Sequence, residues 1–233
     1  MSSSIYLRLA GPLQSWAGAA VTGNIAHTES EPTRSGLTGL LAGACGFLRG
    51  ELPGWLDDTH FTIRTDNRGI ITDEFQTINP RTEETRFRRR LLLSQGINAR
   101  SAKSLIYTPD AEGGTSIVNR TYIGGGEFIV QVTNIDHTEE LISALQSPVF
   151  SPYLGRKAFA PAFPFVLGMG DASAIYEIPS LRKPKRHSGD AATLSFTTHS
   201  PELPAQRHLS QVPVVHSRQS WLDAVREKLT PLS

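Results

Sequence analysis

Cysteine is almost absent from these 233 residues: Cys45 stands alone. An internal disulfide is therefore excluded, and so is a metal site built on cysteine pairs. Long apolar runs are missing too, and none approaches the roughly 20 residues that a membrane-spanning helix needs. Residues Met1 to Ser4 lack the basic stretch and apolar core of a secretory signal. The expectation is a cytoplasmic protein in which Cys45 serves as a small buried hydrophobe. There is no CxxC, no HExxH and no carboxylate cluster at two-metal spacing. Gly124-Gly125-Gly126 lacks the Lys-Ser/Thr of a phosphate-binding loop and reads as a turn. No cofactor is expected.

What is present is a globular composition, 39% apolar and 19% charged, long enough for one large domain or two small ones. The net charge of +1 conceals an uneven distribution. Residues 1–80 hold five Lys/Arg against eight Asp/Glu, residues 81–120 hold eight against four, and the remainder is balanced. A basic block in a neutral chain points to a local contact with nucleic acid. Arg86, Arg88, Arg89, Arg90 and Arg120 carry much of it, beside the apolar run Leu91-Leu92-Leu93.

Ile5, Leu7 and Leu9 alternate with Tyr6 and Arg8, the period of a half-buried strand. A helix follows from residue 33 or 35 to about Gly50 and Pro53. Strands are expected over His60–Arg64, Phe128–Thr133 and Phe163–Leu167, with a short helix opened by Thr138 and closed by Ser147-Pro148. This order is that of a ferredoxin-like, RRM-like βαββαβ fold of the α+β class, which in RNA-recognition modules uses an open sheet face. Leu194–Phe196 and Val212–Val215 read as strands of a small C-terminal β element, and Trp221, Leu222, Val225 and Leu229 as one face of a terminal helix.

The stretch from Pro32 to Gly46 is the most informative. Leu37, Leu40, Leu41, Ala44, Phe47 and Leu48 recur at helical spacing. Four glycines share this helix, each costing about 1 kcal/mol relative to Ala, so the pattern predicts close approach of another backbone. Thr33 or Ser35 can cap its start, where Arg34 adds a cation suited to an anion. A tightly packed core helix with an ordinary cap would show the same residues. Further on, Ser151-Pro152-Tyr153-Leu154-Gly155-Arg156-Lys157 puts a stacking face, a flexible glycine and two cations on one turn.

Together with Leu9-Ala10-Gly11-Pro12-Leu13-Gln14-Ser15-Trp16, these segments resemble the CasD subunits of the type I-E CRISPR surveillance complex, Cascade, in the Cas five family of the RAMP superfamily. The shared patterns are LRLxGPxQxW, PTRSGLxGLL and PYLGRK, in that order. The likeness is good over residues 4–48 and 150–168 and poor in the last third. It implies a ferredoxin-like core over 1–76 and 120–170, a basic thumb inserted at 77–119, and a β-rich region with a short helix over 171–233. It also implies a non-catalytic subunit that binds the 5′ handle of CRISPR RNA and anchors CasC-type backbone subunits and a CasA-type large subunit, meeting target DNA only indirectly. Single-stranded RNA is held by phosphate contacts, stacking and base-edge hydrogen bonds. On the resemblance, Thr33, Arg34 and Ser35 suit phosphate, Gln14 a base edge and Trp16 stacking or packing. Tyr153, Gly155, Arg156 and Lys157 close the clamp, and the thumb arginines add RNA contacts.

The alternative is a metal-independent endonuclease that processes CRISPR RNA, since a related type I-C subunit does so. Such chemistry needs an acid and a base, most often histidine. The chain has seven histidines, none in a motif with a second catalytic group. Where relatives show an acidic–aromatic–His–Thr tetrad, this chain reads Glu74-Phe75-Gln76-Thr77, and Gln76 is no general base at neutral pH. Ala158-Phe159-Ala160-Pro161 departs as well, lacking the cysteine common before the proline.

Overall fold

A computed structural model describes residues 3–18, 25–78, 116–182 and 189–232. The class is mixed α+β. Strand β1 (Ser3–Ala10) is buried from Ser4 onward, on both faces, because strands flank it and helices cover both sides. It is therefore a central strand rather than the half-buried one expected from its alternation. Then follow β2 (Leu13–Gln14), β3 (Ile25–Ala26), helix α1 (Arg34–Cys45), a 3-10 turn (Gly54–Leu56) and β4 (His60–Asn67). Strands β5 (Ile70–Ile78) and β6 (Ser116–Gly124) pair along their whole length, with Ile78 opposite Ser116. The chain continues through β7 (Glu127–Thr133), α2 (Thr138–Gln146), β8 (Val166–Asp171), α3 (Ala174–Glu177), β9 (Ser180–Leu181), β10 (Ala191–His199), β11 (Gln206–Val215) and α4 (Arg218–Lys228).

The main sheet has the order β8-β1-β7-β4-β10-β11-β9. Its first four strands are antiparallel neighbours, with α1 between β1 and β4 in the chain and α2 between β7 and β8. Ile5, Leu7, Leu9, Ile63, Val130 and Val132 form one face and pack under Leu37, Leu40, Leu41 and Ala44 of α1 and Leu141 and Leu145 of α2. The opposite face carries Tyr6, Ile129, Leu194, Phe196 and Val212, and is closed by Ile175, Ile178, Trp221 and Val225. A smaller sheet contains β2, β6 and β3, with β5 on β6.

Two sequence expectations change here. The C-terminal strands do not form a separate element: β10 pairs with β4 through Ser195 opposite Thr65 and Thr197 opposite Ile63, extending the main sheet. The face that an RNA-recognition module would leave open is consequently covered. Arg64 is sealed beneath that cover at 0% exposure. Its Nε and Nη2 donate to Asp66 at 2.8 and 3.0 Å, and Nη1 donates to the Ile175 and Ile178 carbonyls at 2.7 and 2.5 Å. Arg8 on the same face donates to Glu127 at 2.6 Å and lies 5.6 Å from the Trp221 ring centroid. The fourth core strand also starts later than expected, at Val166, leaving Phe163 exposed before it.

Helix α1 ends at Cys45 rather than near Gly50, because Gly46 takes a left-handed conformation (φ 89°) that terminates it. Leu48 thus falls beyond the helix and is exposed. Cys45 packs at the edge of the core, where desolvation first, and the charge of Glu140 second, push its thiol up to about 11. The thiolate is the reactive species, so a disulfide reagent is expected to label native protein slowly at neutral pH and urea-unfolded protein quickly. Equal rates in the two states would show that the site is open.

Candidate nucleic-acid interface

Helix α1 starts because Thr33 is extended (φ −91°, ψ 152°) and its hydroxyl accepts from Gly36 N at 3.3 Å, while its carbonyl takes Leu37 N at 2.9 Å. The N–H groups of Arg34 and Ser35 have no acceptor within the helix, as first-turn groups do not. Ser35 is exposed, and its hydroxyl lies 3.4 Å from that of Thr33. Arg34 does not stand free at this end. Its guanidinium lies 5.7 Å from the Phe61 ring centroid and donates to the Thr59 carbonyl at 2.9 Å and to that of Asp57. Those carbonyls end the 3-10 turn and need donors, so the terminal nitrogens of Arg34 are engaged in bracing that turn to α1.

Gln14 is corrected, and of the two roles expected of Trp16 the structure shows packing. Both are buried, at 0% and 1% exposure, and the direct base contact expected of Gln14 and the stacking offered for Trp16 are out of reach. Gln14 Nε2 donates to Leu9 O at 3.2 Å and Gly126 O at 2.8 Å, and its Oε1 accepts from Trp16 Nε1 at 3.0 Å. The amide is satisfied inside the core, as burial demands. The Trp16 ring fills the space that Gly36 leaves: a Cβ there would sit 2.8 Å from the ring. One helix glycine is thereby explained by close approach, of a side chain rather than a backbone. Gly39 and Gly43 have nothing within 4 Å of a virtual Cβ.

Segment 14–17 joins the two remaining motifs. On one side Thr33 Oγ1 donates to Ala17 O at 3.4 Å. On the other, Ser15 N donates to Leu154 O at 3.1 Å, and Gly155 (φ 83°) lies so close that a Cβ would be 1.5 Å from Ser15 O. Buried Leu154 anchors the 153–157 turn, which closes through Leu154 N to Phe159 O at 2.7 Å and Phe159 N to Arg156 O at 2.8 Å. Tyr153 and Lys157 are left exposed at its tip. The structure therefore brings the helix start and the cationic turn against one short segment.

Arg156 is half-buried and held by Phe159, Glu74 and Tyr122, the last of which no sequence pattern flagged. Its guanidinium lies 5.4 Å from the Tyr122 ring centroid and 5.9 Å from that of Phe159. Arg156 Nη1 donates to the Tyr122 hydroxyl, which itself donates to Glu74. Glu74 Oε2 is 3.9 Å from Arg156 Nη1. The Tyr122 hydrogen bond, then one from Gln76, then the nearby arginines hold the Glu74 carboxyl below its ordinary range. Burial, then the bond to Glu74, raise the Tyr122 phenol. Arg120 faces Glu74 across the β5–β6 pair, and its buried Nε has no hydrogen-bond partner among the described residues. The tetrad containing Glu74 was visible in the sequence, but its pairing with Tyr122, 48 residues away, is a register property no local pattern encodes. Arg86, Arg88, Arg89 and Arg90 lie outside the described residues.

Among the described residues, no three His, Cys, Asp or Glu side chains gather as metal ligands, and no helix is long and apolar enough to cross a membrane. The chain matches the family described as CRISPR-associated protein (Cas_Cas5) over residues 4–228. It is 31% identical over 180 residues to the CRISPR system Cascade subunit CasD of Escherichia coli (strain K12), an alignment covering 74% of each chain. A chain in a structure titled CRISPR RNA-guided surveillance complex superposes with a TM-score of 0.74 at 22% identity, over 96% of this chain and 98% of that one. Another, titled crystal structure of Cas protein, gives 0.55 at 20% identity, over 90% and 95%. A family match over nearly the whole length, with a relative above 30% identity, decides the assignment: the chain belongs to the CRISPR-associated Cas_Cas5 family.

Proposed function

We propose that this chain is a non-catalytic subunit of a Cascade-type CRISPR surveillance complex, and that it binds the 5′ handle of the CRISPR RNA. In this reading β8-β1-β7-β4 with α1 and α2 is the ferredoxin-like core. CasC-type backbone subunits and a CasA-type large subunit are its protein partners. The observation that carries the reading is the convergence of two separate segments, the start of α1 and the 153–157 turn, on Ser15–Ala17, with exposed Tyr153 and Lys157, Arg156 and the outward N–H groups of Arg34 and Ser35 around it. An aromatic face, two cations and a helix start are the parts that single-stranded RNA needs. Because the second face of the main sheet is closed by α3 and α4, RNA meets the chain at this edge. The charge surplus of 81–120 supports an RNA-contacting role for Arg86, Arg88, Arg89, Arg90 and Arg120 as well.

The test is RNA binding by the full chain carrying Arg156→Ala and Lys157→Ala. Affinity for a repeat-derived RNA is expected to fall, and the slope of log affinity against log salt to shrink by about one per lost phosphate contact. Far-UV circular dichroism checks that the variant is folded. A folded variant with unchanged affinity and slope would show that the turn is not the contact. Specific cleavage of the RNA, abolished by a single histidine change, would replace this reading with the endonuclease.

A further inference from the structure

The Arg156 cluster contains one feature that an RNA contact does not need: a carboxylate already beside the guanidinium. We infer that Glu74 is a built-in competitor for Arg156, occupying through Tyr122 the place that an RNA phosphate takes, and so lowering the affinity of the subunit for RNA of any sequence. This rests on the reading of the 153–157 turn as an RNA contact. Carboxylate and phosphodiester are both anions that accept from a guanidinium, so they compete for the same donors. Here the competitor is poised on both sides. Tyr122 relays the contact by donating to Glu74 while accepting from Arg156, and Glu74 Oε2 is itself 3.9 Å from Arg156 Nη1.

The pair is built to be exchanged rather than permanent. The Arg156 and Glu74 side chains are 33% and 41% exposed, unlike the sealed Arg64–Asp66 pair at 0% and 8%. The hydrogen bonds from Tyr122 and Gln76 hold the Glu74 carboxyl below its ordinary range, so the competing charge is present at neutral pH. Arg120, opposite Glu74, supplies a second guanidinium whose Nε lacks a partner among the described residues, leaving a donor for the carboxylate to turn to when a phosphate displaces it from Arg156. RNA that offers only phosphates loses part of its attraction to this competition. RNA that also supplies stacking and base-edge contacts keeps those.

Glu74→Gln keeps the shape and an acceptor for Tyr122 but removes the charge. Full-length variants are titrated at low salt with a repeat-derived RNA and with a scrambled RNA of equal length. Glu74→Gln is expected to bind both about two- to fivefold tighter, the worth of a half-exposed ion pair. Asp73→Asn, which removes the same charge from the neighbouring residue on the opposite face of β5, is expected to leave both affinities unchanged. In an Arg156→Ala background, Glu74→Gln is expected to have no effect. Weaker binding by Glu74→Gln would make the carboxylate a brace for Arg156 and overturn the inference, as would equal gains from Glu74→Gln and Asp73→Asn. If Arg156→Ala alone weakens binding while Glu74→Gln changes nothing, only the competition is refuted. If Arg156→Ala changes nothing either, the reading of the turn falls with it.

Discussion

Urea unfolding of Arg64→Ala is expected to show a loss of about 3–5 kcal/mol, the cost of leaving a buried charge without its partner. Arg64 at 0% exposure is the only cation facing Asp66 in the contacts described, and its Nη1 also satisfies the Ile175 and Ile178 carbonyls. Truncation therefore strands one carboxylate and two carbonyls beneath the C-terminal helices. The double change Arg64→Met with Asp66→Asn should recover part of the loss, since neutral groups of similar size avoid the stranded charge. The midpoint should move while the slope with denaturant is kept. A loss below about 1 kcal/mol, the range of exposed ion pairs, would mean that water reaches this site and that the sheet face is not closed.

The second large effect concerns binding. Gly155→Ala is expected to reduce affinity for repeat-derived RNA by about tenfold or more, because it displaces the turn that presents Tyr153, Arg156 and Lys157. The φ of 83° already costs a side-chain-bearing residue about 1–2 kcal/mol, and the new Cβ would lie 1.5 Å from Ser15 O, a backbone atom that cannot rotate away. Losing one charge-assisted contact is worth about 1.5–3 kcal/mol, or a factor of ten and upward. Fluorescence anisotropy reads the affinity, and circular dichroism is expected to show the core intact. Gly39→Ala is the contrast: open space surrounds that position, so helix propensity alone acts and stability rises. Full RNA affinity in Gly155→Ala would detach the turn from RNA binding.

Local chemistry was legible in the sequence where a residue acts on its near neighbours. Of the two caps the sequence offers, Thr33 and Ser35, Thr33 caps α1, and the apolar positions Leu37, Leu40, Leu41 and Ala44 are buried together. The helix end was misplaced because apolar spacing continues through Phe47 and Leu48 although Gly46 has already turned the chain. Partners distant in sequence were not legible. An alternating strand such as β10 announces two faces but not that its edge lies on β4. Arg34, Gln14 and Trp16 have residue types suited to RNA, and types do not reveal that the Asp57 and Thr59 carbonyls claim the donors of Arg34, those of Leu9 and Gly126 the amide of Gln14, and the Gln14 side-chain oxygen the indole of Trp16. Tyr122 escaped for the same reason, since its value comes from facing Glu74 and Arg156 across two other segments.

The register of β5 and β6 has a consequence for how this architecture diversifies. Strand β5 ends at Ile78, directly opposite Ser116, where β6 begins. The two strands thus hold the ends of the 79–115 span side by side, whatever its length. Closure entropy grows with the logarithm of loop length, and each doubling costs only about 0.6 kcal/mol. Lengthening, shortening or exchanging this span therefore leaves the strands that carry it under almost the same demand. Selection can rewrite the span between these strands while the strands that hold its ends stay as they are, which makes this junction a natural place to exchange one stretch of chain for another.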